Sequence, residues 1–239
     1  MSEKMMKMLV EGGRILGISL EMFHMEHFQR YYSVLMEWNR KMNLTAITEE
    51  EEVVVKHFLD SISVLKSDKI KGDEKIIDIG TGAGFPGIPL KIVFPNLKLT
   101  LLEASKKKVN FLSYLSHVLS LTDVEIIHGR AEELGHAEKY REKFEIAIAR
   151  AVAPLNVLLE YAIPFVEPDG YFIAMKGREI GEVKECKRAF EELKCAVENI
   201  VEVRLPFSDI LHHLIVIKKK EHLPLKYPRK EKLIRNKPL

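Results

Sequence analysis

The chain has 239 residues, 46% hydrophobic and 30% charged, with a net charge of +2. That suits one full domain plus a smaller extension, and it excludes a disordered or fibrous chain. No apolar run approaches the roughly 18 residues of a membrane span. MSEKMMKMLVEGG lacks the uninterrupted apolar core of a signal peptide. Cys186 and Cys195, with no partner His nearby, make neither a disulfide framework nor a metal site, so a reduced cytoplasmic protein without metal is expected.

The first 70 residues read as helical. Phe28, Tyr31, Tyr32, Leu35 and Trp38 recur at helical spacing and predict one apolar face for core packing. Asn43-Leu44-Thr45 breaks that helix. Thr48 followed by Glu51 predicts a capping box for a second helix through Val54, Phe58, Ile62 and Leu65. Lys71-Gly72-Asp73 reads as a loop.

From there short β-rich runs alternate with helical ones. Strands are expected at 75–79, 97–103, 124–128, 144–149 and 171–176, with helices near 88–93, 106–120, 132–140 and 155–166. Such alternation predicts a parallel sheet covered on both faces. A long charged helix over 179–197 should precede two runs, 199–205 and 213–219, that have no helix between them. These predict an antiparallel hairpin at the sheet edge, with one reversed edge strand among seven.

IIDIGTGAGFPGIPL (76–90) carries the clearest chemistry. It reads as strand, open turn and helix, with Gly80, Gly82 and Gly84 letting a ligand approach the backbone. Pro86 and Pro89 suit the first helical turn. A pyrophosphate reader has G-x-G-x-x-G, whereas here the spacing is G-x-G-x-G and Asp78 precedes it. A carboxylate there suits a cationic sulfonium ligand, and Glu103, at the end of the second strand, can accept two ribose hydroxyls. The arrangement favours S-adenosylmethionine over a nicotinamide dinucleotide, with a merely tight turn as the third reading.

Other strand ends add candidates. The loop His128–Glu133 would flank a purine, although Glu132 and Glu133 also suit a helix N-terminus. Arg150 ends the fourth strand and reads either as a clamp for a carboxylate or phosphate or as a structural ion pair. Between Lys218 and Lys237 lie nine Lys/Arg and two Glu, a local charge of +7 that suggests a polyanionic partner or a solvated end.

Several blocks together resemble one family. WNRKMNLTAIT (38–48), KHFLDSI (56–62), DIGTGAGFPGIPLKI (78–92), LLEASKKKVNFL (101–112), ARAVAPL (149–155), LPFS (205–208), HHLIVIKK (212–219) and KYPRK (226–230) are similar to the bacterial glucose-inhibited division protein B family, the methyltransferase G enzymes of 16S rRNA. The resemblance implies an α/β fold with a Rossmann-like seven-stranded S-adenosylmethionine-dependent methyltransferase sheet. It implies an N-terminal helical extension (1–70), the methyltransferase domain (71–219) and a basic tail (220–239). The implied reaction is methyl transfer to N7 of one guanine near the decoding centre. Cofactor positions carry over to Gly80, Phe85, Ala131, Glu132 and Arg150, with Glu103 as the ribose acid. The tail departs from the family: Glu231-Lys232-Leu233-Ile234-Arg235 stands where Gly-Thr-Pro is frequent.

The residues agree with that chemistry partly through absence. Neither cysteine sits where a cytosine-C5 nucleophile would be needed, and Arg150-Ala151-Val152 replaces the Asn/Asp-Pro-Pro turn of an exocyclic-amine enzyme. Guanine N7 has a free lone pair and needs no general base, so positioning suffices. Arg150 or Lys176 would orient the guanine. Lys226, Tyr227, Arg229 and Lys230 are the expected RNA contacts, Tyr227 either stacking on an unpaired base or packing on the domain. The partner would be 16S rRNA, naked or in an assembling subunit, and the protein a monomer. A small-molecule methyltransferase, an assembly factor with a vestigial cofactor site and a nicotinamide dehydrogenase are the rival readings.

Overall fold

A computed structural model describes residues 1–177 and 181–239. The chain opens with α1 (Glu3–Ile15), whose N-terminus is capped by Ser2 accepting from the Met5 N–H. The second helix, α2 (Met22–Met42), ends at Asn43 in the left-handed conformation, as the sequence predicts. The Asn39 side chain then grips the backbone of Thr45 with two 2.9 Å bonds, which fixes the MNLT turn. The next helical stretch runs from α3 (Glu50–Val53) through a π-helical turn (Val54–Leu59) and α4 (Asp60–Ile62) into a 3-10 turn (Ser63–Ser67). The expected capping box does not form. Glu49, not Thr48, occupies the cap position and bonds no backbone group through its side chain.

Seven strands follow: β1 (Lys75–Ile79), β2 (Lys98–Glu103), β3 (Val124–His128), β4 (Phe144–Arg150), β5 (Val166–Lys176), β6 (Cys195–Arg204) and β7 (Leu211–Lys219). Their order is β3-β2-β1-β4-β5-β7-β6, with β1 to β5 parallel. The reversed strand is β7, which lies between β5 and β6 and pairs antiparallel with both. The expectation of a reversed edge strand is therefore corrected: the hairpin sits at the edge, but its second strand turns inward. Between β1 and β4 the winding reverses, and the crevice beyond their C-terminal ends is where such sheets bind ligands.

Connecting helices are α5 (Gly87–Val93), α6 (Lys106–Val118), α7 (Ala131–Leu134), α8 (Leu155–Ala162), α9 (Glu182–Glu185), α10 (Lys187–Glu192) and α11 (Glu231–Asn236). Two expectations fail here for local reasons. The 132–140 helix lasts one turn. The long charged helix becomes two short ones broken at Cys186, and Lys194, left-handed at φ 55°, stops the second and lets β6 begin at Cys195. Positions 179 and 180 of that expected helix lie outside the described residues.

One apolar cluster joins the N-terminal helices to one sheet face, with Phe28, Tyr31 and Phe58 packed into the same core as Ile76, Ile88, Phe111 and Ile146. Each such fully buried aromatic contributes about 2–3 kcal/mol, which fastens residues 1–70 to the sheet. A second cluster covers the other face under α8 and α10 and includes Tyr227 and Leu239 from the chain's end.

Candidate active site

The glycine turn leaves β1 with left-handed backbone at Gly80, Gly82 and Gly84. At Gly84, φ is 97°, and a Cβ would meet Ile88 at 2.7 Å and the Tyr31 hydroxyl at 2.9 Å, so only glycine lets the turn pack on α2. At Gly80 a Cβ would stand 2.9 Å from Val152, which closes in from the β4 loop.

Asp78 has a different task from the one its position suggested. Its side chain is fully enclosed beneath the turn, where Oδ2 accepts from the Thr81 hydroxyl at 2.6 Å and the Gly87 N–H at 2.8 Å. Oδ1 is buried without a partner. Burial pushes the carboxyl up to about 6 against the pull of those two bonds. It organises the turn and lines neither of the two cavities described next. Glu103 is also bound to backbone, taking the Gly82 N–H at 2.9 Å on one oxygen and the Ser105 N–H at 2.8 Å on the other. Each oxygen keeps a lone pair for a further donor.

Two cavities open along the C-terminal edge of the sheet. The smaller, about 110 Å³, lies among Gly80, Leu102, Ala104, Ala131, Glu132 and Val152, with Tyr161 and Arg235 closing it. Its walls come from the loops after β1, β2, β3 and β4, as the sequence predicts for Gly80, Ala131 and Glu132. Burial raises the Glu132 carboxyl. The larger, about 400 Å³, is lined by Lys56, His57, Asp60, Arg150, Met175, Lys176 and His212. The β4 loop is the partition between them: Ala151 faces the larger cavity and Val152 the smaller. Ala151 holds the partition in a left-handed conformation at φ 55°, a strained state for a non-glycine residue.

Arg150 ends β4 inside the larger cavity. Its Nη1 donates to the Lys56 carbonyl at 3.0 Å and to Asp60 Oδ2 at 2.5 Å, which confirms an ion pair. Nη2 makes a long hydrogen bond of 3.4 Å with His57 Nδ1, and Nε has no partner among the described residues, so Nε–H and one Nη2 hydrogen are left for a ligand. Asp60 also binds His212 Nδ1 at 2.7 Å, and His212 Nε2 reaches the Ser63 hydroxyl at 3.1 Å. Burial pushes the Asp60 carboxyl up, but its bonds to His212 and Arg150 outweigh that and hold it below the usual range. His57 is pushed down to about 4, first by burial and then by the Arg150 charge, so it is neutral near pH 7. Its Nε2 lies 2.8 Å from the Thr45 hydroxyl, and its ring stacks on Phe85 at 4.5 Å. Phe85 stacks in turn on Tyr31 at 5.2 Å, and the Arg150 guanidinium lies 5.1 Å over its ring.

Asp60, His57 and His212 were not singled out as site residues from the sequence. The signal was present in the blocks KHFLDSI and HHLIVIKK, whose polar residues interrupt otherwise apolar runs. Lys176, singled out at the end of β5, does line the larger cavity, where it pairs with Glu182 at 2.9 Å and donates to the Ala153 carbonyl at 3.1 Å.

The expected RNA-binding tail is corrected. Tyr227 is 3% exposed and its hydroxyl donates to Glu192 at 2.7 Å, so it cannot stack on a base. Arg229 binds both oxygens of the fully buried Glu160 at 2.7–3.0 Å. Arg141 donates to the carbonyls of Leu223, Pro224 and Tyr227 and ties the segment down. Lys226, paired with Glu192 at 3.2 Å, and Lys230 remain exposed.

Comparison with known proteins gives one consistent result. A family model described as rRNA small subunit methyltransferase G matches residues 24–212. The chain is 73% identical to a ribosomal RNA small subunit methyltransferase G of Caldanaerobacter subterraneus subsp. tengcongensis across the whole of both chains. It is 43% identical to that of Clostridium tetani over 93% of this chain and 94% of the other. Among solved structures, a SAM dependent methyltransferase from Aquifex aeolicus superposes with a TM-score of 0.54 at 19% identity, covering 73% of this chain and 96% of that one. TYW2 of P. horikoshii in complex with MeSAdo gives 0.52 at 13% identity, covering 68% and 62%. The solved structures establish the fold.

Proposed function

The chain belongs to the rRNA small subunit methyltransferase G family, and we propose that its two cavities divide that reaction, the smaller holding the nucleoside end of S-adenosylmethionine and the larger receiving its methionine end and a guanine of 16S rRNA. The protein is an enzyme, an S-adenosylmethionine-dependent rRNA methyltransferase. The observation that carries the division is the Ala151–Val152 partition, which sets two cavities side by side where the sheet winding reverses.

The residues present fit the cofactor. Glu103 offers its remaining lone pairs to the ribose hydroxyls, and Ala131 and Glu132 offer a backbone N–H and a carboxylate to the edge of adenine. The remaining Nε and Nη2 donors of Arg150 take the methionine carboxylate, with Nη1 held by the Lys56 carbonyl and by Asp60, itself fixed by His212. The cofactor supplies a methyl group on a positively charged sulphur. Transfer of that methyl group to guanine N7 would use a lone pair that is already free, leave the bonding electrons on the sulphur and release no proton. The chain therefore needs no general base; His57, lowered to about 4, would be a weak one, and Asp60 is occupied by Arg150 and His212. Lys176 donates to the guanine O6 and turns N7 toward the methyl group. Holding two reactants in line in this way is worth about 7–11 kcal/mol.

RNA affinity then comes from the cationic rim of the larger cavity, Lys56, Arg150 and Lys176, with exposed Lys226 and Lys230 reaching phosphates. The enzyme works as a monomer in the cytoplasm, and its preferred substrate is the rRNA within an assembling small subunit. Incubation with methyl-labelled cofactor and either naked 16S rRNA or isolated small subunits tests this. Label at N7 of an internal guanine is expected, and label only on small molecules would overturn it.

A further inference from the structure

We propose that Arg235, on the C-terminal helix α11, is a cofactor-binding residue that stacks its guanidinium on the purine, making α11 a wall of the nucleoside cavity. The inference rests on the assignment of the smaller cavity to the cofactor.

Arg235 lines that cavity together with Tyr161, while its outer side faces water at 64% exposure. Its placement is imposed by the fold on both sides. Upstream, the Arg229–Glu160 pair and the Arg141 clasp pin residues 223–229. Downstream, Leu239 is buried in the core of the sheet's other face. Between these anchors α11 is seated by Ile234, fully buried against Val157 and Tyr161, and by the 2.9 Å Glu231–Arg130 pair.

The chemistry of the walls says what Arg235 would meet. The opposite lining is aliphatic or backbone, from Gly80, Leu102, Ala104 and Val152, which suits the flat face of a purine. Two cations border the cavity. Arg130 is held between Glu231 and, at 3.9 Å, Glu132. Arg235 is paired through its Nε with Glu231 at 3.2 Å and hydrogen-bonded to the Tyr161 side chain, contacts made at the edge of the guanidinium that leave its flat face to lie over a ring. A planar, weakly hydrated guanidinium stacks flat on an aromatic face, whereas an ammonium meets it only as a point charge. The cavity, about 110 Å³, is smaller than the roughly 300–1,000 Å³ typical of ligand sites. Of the two arginines in its lining, Arg130 is held by two glutamates and Arg235 is the more exposed, so Arg235 is the wall that can swing to admit the purine and then cover it.

Calorimetric titration of wild type, Arg235→Ala and Arg235→Lys with adenosine and with S-adenosylhomocysteine tests the proposal. Arg235→Ala should weaken both ligands about 10-fold, in line with a cation–π contact, and lysine should restore less than half of that on a logarithmic scale. The KM for the cofactor should rise while kcat at saturation stays within about two-fold, and the melting temperature without ligand should not move. Leu233→Ala, exposed on the same helix, should change nothing. Unchanged affinity in Arg235→Ala would overturn the proposal, as would loss for S-adenosylhomocysteine without loss for adenosine, or weakened RNA binding alone. Failure of the wild type to bind either ligand would instead strike the assignment of the cavity.

Discussion

Asp78→Asn removes one charge from beneath the glycine turn and changes little else. The wild-type carboxyl is fully enclosed and raised by burial from 3.8 to about 6. A carboxyl whose folded pKa exceeds its unfolded value holds its proton more tightly in the native state. Its contribution to stability is complete below the unfolded value of 3.8 and is lost as pH rises through about 6. At about 1.36 kcal/mol for each pH unit, that loss comes to about 3 kcal/mol. Asparagine keeps the shape and one oxygen for Thr81 and Gly87, and it cannot ionise. Urea denaturation of both proteins between about pH 4 and about pH 8 measures the effect, because every other titrating group is shared and cancels. The stability of the variant relative to wild type should climb by about 3 kcal/mol across that range, with most of the climb centred between the two pKa values. Parallel profiles would refute the account of Asp78 as a dehydrated acid. Saturating S-adenosylmethionine, which brings a cation near, should move the wild-type transition to lower pH.

Four further outcomes follow from the geometry. Arg229→Ala leaves Glu160 buried without its partner and should cost about 3–5 kcal/mol in urea denaturation, while RNA affinity stays level. Gly84→Ala forces a Cβ into Ile88 and the Tyr31 hydroxyl at a left-handed residue, so thermal melting should show a loss of more than about 2 kcal/mol. Arg150→Lys keeps the charge but cannot hold Asp60, the Lys56 carbonyl and a ligand carboxylate at once, and calorimetry should show cofactor affinity down about 10-fold. Lys176→Met should lower kcat on small subunits about 10-fold with cofactor affinity unchanged, since it touches only the guanine side.

The strands and the glycine turn were readable because buried parallel strands leave continuous apolar runs and a turn of left-handed residues leaves glycines. β1 matches its expected limits for that reason, whereas β3, half-exposed at the sheet edge, matches through its β-branched run Val124, Ile126 and Ile127. What stayed hidden depends on partners distant in the chain. Nine basic residues near the end look the same whether solvated or paired, and nothing local reveals that Arg229 meets Glu160, 69 positions away. Arg150 was left between a clamp and an ion pair, and the structure shows the ion pair with Asp60, while the clamp stands as a proposal. Asp78 shows the limit of reading by position, since its place before the turn was plain but the direction of its side chain was not. The inward turn of β7 was equally beyond the sequence: a hairpin pattern says that two strands pair, not which of them joins the sheet.

That last arrangement matters for how the protein is born. Among the described residues β6 pairs only with β7, and β5 has no neighbour on that side until β7 arrives. A growing chain emerging from the ribosome thus carries an unfinished sheet with a naked edge until residues 211–219 have been translated. His212 arrives on the same strand, so Asp60, among the first residues made, waits for one of the last. A chain that stops short of β7 should accordingly expose the β5 edge and leave Asp60 without His212.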